Sequence, residues 1–83
     1  MGRLRRRATI ARKGIAQILE TVAEHGFHGE EWLRLARDTQ GLARALRGHD
    51  RPEAMALGVV SLERRQQAAR ERLEGFLQTV DSA

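Results

Sequence analysis

The stretch 52–80, PEAMALGVVSLERRQQAARERLEGFLQTV, sets Met55, Val59, Leu62, Gln66, Ala69, Leu73, Phe76 and Val80 at alternating steps of four and three residues. That period is a heptad seam, the pattern of a long helix covered by other helices along one side. Pro52 suits its first turn, where a missing N–H costs nothing. A helix over about 52–80 is predicted, roughly 43 Å long at 1.5 Å per residue.

The same spacing recurs upstream. Leu4, Ala8, Ala11, Ile15, Ile18 and Val22, with Leu19 beside them, mark a helix over about 4–25. Trp32, Leu35, Thr39, Leu42 and Leu46 mark a second over about 30–47, only roughly 27 Å long. Gly26-Phe27-His28-Gly29 and Gly48-His49-Asp50-Arg51-Pro52 interrupt the pattern, with Gly26 and Gly48 placed as C-caps of positive φ. Glu30 and Glu31 give the second helix an acidic start that its dipole favours. Short connections make neighbouring helices antiparallel. The expected fold is all-α, an up-down-up three-helix bundle with coiled-coil-like packing and a long third helix, in one domain spanning 1–83.

At 83 residues without cysteine, the chain has neither disulfides nor thiolate metal sites to hold it together. So short a chain buries only about 60% of its unfolded surface, and stability must come from helix packing or from a partner. No stretch has the ~18 apolar residues of a membrane span, and no secretory apolar segment follows the opening arginines. The expected localisation is cytoplasmic. Fourteen arginines against one lysine point to GC-rich coding, bacterial or phage.

The net charge of +4 is unevenly spread. Arg3, Arg5, Arg6, Arg7, Arg12 and Lys13 fill the first thirteen residues with no acid among them. They crowd a helix N-terminus that is already electropositive, an arrangement an anion would relieve. Arg34, Arg37 and Arg44 share one face of the second helix, with Arg47 at its edge. A row of guanidinium groups one turn apart can follow a phosphate backbone. Aromatic residues are too few, Phe27, Trp32 and Phe76, to suggest stacking on single-stranded bases.

Other chemistry finds little support. His25 and His28 flank a glycine loop and His49 lies in the other loop, a pattern that reads as surface histidines rather than a metal site. No catalytic triad or carboxylate pair is present, and no cofactor is implied. Thr9–Gln17 resembles the turn of a helix-turn-helix, but Ala11 and Gly14 stand one residue too close and no helix precedes them as a brace. Ala23–Gly29 and Asp50–Met55 resemble segments of TetR-type regulators. The turn and aromatic-rich recognition helix between those segments are missing, so no binding residue carries over.

The functional expectation is a small non-enzymatic accessory or assembly subunit. It would contact nucleic-acid backbone, without sequence specificity, through Arg3, Arg5, Arg6, Arg7, Arg12, Lys13, Arg34, Arg37 and Arg44. The alternative is a helical adaptor, chaperone or inhibitor, phage- or mobile-element-encoded, docking on a larger protein assembly. Its interface would be the end of the third helix, Leu73, Phe76, Leu77 and Val80, which outreaches the second. A parallel homodimer on that seam would oppose Arg65 to Arg70 and bury Gln66 on itself. An antiparallel homodimer or a hetero-partner fits better.

Overall fold

The computed structural model describes residues 2–27, 29–48 and 51–82. They form three helices, α1 (Gly2–Glu24), α2 (Glu30–Gly48) and α3 (Pro52–Ser82), with no strand among the described residues. Each helix packs on the other two. The body is elongated, 49 × 19 × 15 Å, because α3 at about 46 Å sets the long axis.

Two apolar clusters fix the topology. Ile18 and Val22 of late α1 meet Trp32 of early α2 and Ala69 and Leu73 of late α3. Ala11 and Ile15 meet Leu62, flanked by Ala8 and by Leu42 and Leu46 of late α2. α1 and α3 therefore run parallel with α2 antiparallel between them, an all-α up-down-up three-helix bundle.

The seam of α3 faces inward. Met55, Val59, Leu62, Ala69 and Leu73 are buried, and Val59 and Leu62 have no exposed surface. Gln66, the polar member, is only partly buried. Gly14 of α1 leaves room for it: a Cβ there would lie 1.9 Å from Gln66 Nε2. A helix glycine thus accommodates an amide that would otherwise crowd the α1–α3 contact. Gly58 plays the same part for α2, where a Cβ would stand 2.6 Å from Leu46 Cδ2.

Three details differ from the sequence expectation. In α2 the fully buried residues are Trp32 and Ala43, while Leu35, Thr39, Leu42 and Leu46 are half-buried. Ala43 is covered where α2 meets α1, while Leu35, Leu42 and Leu46 pack against the two apolar clusters. Gly26 has φ +71°, and no other glycine among the described residues has positive φ, so Gly48 ends α2 in helical geometry. α3 also runs on to Ser82, past its expected end near residue 80.

The end of α1 shows why Gly26 is needed. Gly26 N–H donates to the Ala23 carbonyl and Phe27 N–H to the Val22 carbonyl, both at 3.0 Å. This is a Schellman closure, whose left-handed residue favours glycine. It also folds Phe27 back onto the cluster containing Val22. At the start of α3, Met55 N–H donates to the Arg51 carbonyl at 3.1 Å. Asp50 lies outside the described residues, as do His28 and His49.

Candidate functional site

Charge pairing between helices is one-sided. Arg7 of α1 grips Glu63 of α3 with two prongs, Nε donating to Oε2 at 3.0 Å and Nη2 to Oε1. These hydrogen bonds raise the Arg7 pKa and hold the Glu63 carboxyl below its ordinary range. Arg65 Nη1 donates to Asp38 Oδ2 at 2.9 Å, and Arg72 Nε to Glu31 Oε2 at 3.0 Å, tying α3 to α2. The Arg72 guanidinium also lies 5.2 Å from the centre of the Phe76 ring. Every ion pair among the described residues has one end on α3.

The α1–α2 seam is built differently. Small residues, Ala8, Thr9, Ala16, Ala36, Thr39 and Ala43, line two open grooves of about 450 and 560 Å³, the first of them also bordered by Leu46 and by Met55 and Val59 of α3. Thr9, Arg12, Ala43 and Arg47 border both, so the grooves form one continuous surface. Arg5, Arg12 and Lys13 stand on the α1 side, Arg44 and Arg47 on the α2 side, and no carboxylate lines either groove. None of the five takes part in an ion pair among the described residues.

The antiparallel topology produces this concentration. It brings the basic first half of α1 beside the C-terminal half of α2, where Arg47 complements the helix dipole. The first turn of α1 holds no acid to balance its own dipole. Glu20, Glu24, Glu30 and Glu31 all fall toward the opposite end of the bundle. Along α1, Arg5 to Lys13 spans about 12 Å.

The nine expected cationic residues therefore divide. Arg5, Arg12, Lys13 and Arg44 converge on the groove, and Arg47, which the sequence places only at the edge of its face, completes it. Arg3 and Arg6 are exposed on α1 and Arg37 on α2, outside the groove. Arg7 faces α3 and is engaged by Glu63. Arg34 lines a separate α2–α3 groove with Glu31, Asp38, Arg65 and Arg72. The single face expected for Arg34, Arg37 and Arg44 is split because α1 covers one flank of α2 and α3 the other.

At the far end, Leu73 is buried, and Phe76 and Leu77 pack against the same intrachain cluster. Val80 is half exposed. The aromatic residues gather here too, Phe27 and Trp32 with ring centres 5.0 and 6.0 Å from that of Phe76. His25 stacks on Phe27 at 5.7 Å and its Nδ1 donates to the Thr21 carbonyl at 2.9 Å. Among the described residues no group of three or more histidine or acidic side chains is placed to hold a metal, and no helix is long and apolar enough to cross a membrane. Comparison with protein-family models, curated proteins and solved structures finds no match to this chain, and its functional reading rests on its own residues.

Proposed function

We propose that this chain is a non-enzymatic accessory or assembly subunit that binds nucleic-acid backbone in the groove between α1 and α2. One observation carries the reading: Arg5, Arg12 and Lys13 face Arg44 and Arg47 across a seam with no carboxylate in it. Like charges on neighbouring helix positions are destabilising. A chain of phosphates laid along the groove turns that repulsion into attraction and releases condensed counterions.

Recognition is of charge and shape, since contacts to phosphate position a protein without reading sequence. The aromatic rings are packed among themselves at the other end of the bundle, away from the groove. They offer no platform for unstacked bases, and a duplex backbone is the better fit.

Fluorescence anisotropy with a labelled duplex of arbitrary sequence tests this. Five neutralised phosphates give a log–log salt slope of about −4 to −5. The paired change Arg12→Gln and Arg47→Gln should flatten the slope by about two units and weaken binding to every sequence alike. Undiminished affinity in that double variant, or no binding by the wild type at low salt, overturns the reading.

A further inference from the structure

The outer face of α3, turned away from both other helices, carries a second pattern. Glu53, Leu57, Val60 and Arg64 are spaced four, three and four, offset from the buried seam of Met55, Val59 and Leu62. Leu57 is 75% exposed and Val60 36%. Glu53 and Arg64 are exposed, and neither takes part in an ion pair among the described residues. Beside them is a surface depression of about 390 Å³ bordered by Leu57, Val60, Ser61 and Arg64 and extended by Arg65 and Ala68. Residues 57, 60, 61 and 64 are the four corners of a hole that receives one knob side chain in knobs-into-holes packing.

We infer that this stripe is a self-association surface and that its occupant is the same stripe of a second copy, running antiparallel. The argument is one of register. When two antiparallel helices place Leu57 level with the partner's Val60, Leu57 falls over the hole at 57, 60, 61 and 64. Glu53 precedes Leu57 by four residues and Arg64 follows Val60 by four, so Glu53 comes level with the partner's Arg64 in the same register. The two-fold repeats both contacts, giving two apolar knobs flanked by two opposite-charge pairs. A small side chain at Ser61 leaves the hole open. The contact covers about 17 Å of each helix, shorter than a standard interface, so the dimer is weak. Because α3 presents this face away from α1 and α2, a dimer leaves the basic groove of each copy open. The inference stands independently of what that groove binds.

Sedimentation equilibrium of the full chain, up to about 1 mM protein, is the test. The wild type should show a monomer–dimer equilibrium, and Leu57→Glu should remain monomeric. Glu53→Arg and Arg64→Glu each oppose like charges across the two-fold and should weaken association about tenfold. The double variant restores opposite charges in swapped positions and should recover wild-type association. All these side chains are exposed, so circular dichroism should show unchanged helix content. A wild type that stays monomeric at about 1 mM overturns the inference. So does a Leu57→Glu dimer as strong as wild type, or a double variant no better than the singles.

Discussion

Arg7 and Glu63, fifty-six residues apart, are joined by two hydrogen bonds that fix the first helix to the third. The pairing holds the Glu63 carboxyl below its ordinary range, with hydrogen bonding to Arg7 the main cause. A carboxyl depressed in the folded state contributes stability above its unfolded pKa and loses it as pH falls through the folded value. The Arg7 pKa moves upward, away from this window. Thermal melts should show the wild type losing stability below about pH 4. Glu63→Gln should start lower at neutral pH and converge on the wild type in acid. A constant gap between the two across the pH range would show that the pair does not titrate with folding.

The cation-lined seam predicts an exchange of stability for binding. Removing like-charge repulsion by Arg12→Gln with Arg47→Gln should raise the stability of the free chain by a few tenths of a kcal/mol, about the size of like-charge pairs on helices. Duplex added in excess should raise the Tm of the wild type by more than that of the double variant. Differential scanning fluorimetry with and without duplex reads both effects.

Leu62 and Val80 belong to one sequence pattern but to different surroundings. Leu62 has no exposed surface, and Leu62→Ala should cost about 3 kcal/mol. A single core of this size rarely supplies more than about 3–5 kcal/mol, so that variant should be largely unfolded at 37 °C. Val80 is half exposed, and Val80→Ala should stay within about 0.5 kcal/mol of wild type. Urea denaturation of the two variants locates the end of the covered seam.

Glycine substitutions separate three environments. Gly41 and Gly75 lie in helical backbone with open space where a Cβ would project, so Gly41→Ala and Gly75→Ala should each stabilise by about 0.5–1 kcal/mol. Gly26 has the same open space but a φ of +71°, and Gly26→Ala should destabilise by about 1 kcal/mol. Gly14→Ala forces the Gln66 amide to move, so its gain in helix propensity should be largely cancelled. Chemical denaturation should place Gly41→Ala and Gly75→Ala highest, Gly14→Ala near the wild type and Gly26→Ala lowest.

The period of the apolar residues was enough to read three helices, their order and the inward face of the third. What periodicity states is which side of a helix is covered. It does not state which neighbour does the covering, and the candidate site turns on that second question. Arg34 and Arg44 look equivalent on a helical projection, yet α3 claims one flank of α2 and α1 the other. Arg7 looks like another free arginine until Glu63, a whole helix away in sequence, is set beside it. Arg47 sits at the margin of its face in projection and becomes central only because α1 lies antiparallel to α2. The glycines at 14 and 58 were opaque for a similar reason, since each is explained by a side chain on a different helix.

Because every ion pair among the described residues includes α3, the molecule resembles a book bound along that helix, with α1 and α2 as its covers. Parting the covers breaks no ion pair among the described residues and relieves repulsion among five cations. That seam runs along the edge where a polyanion would enter, and occupancy would act as a clasp. Amide exchange should find the groove-facing turns of α1 and α2 opening more readily than the core of α3, and added duplex should slow them most.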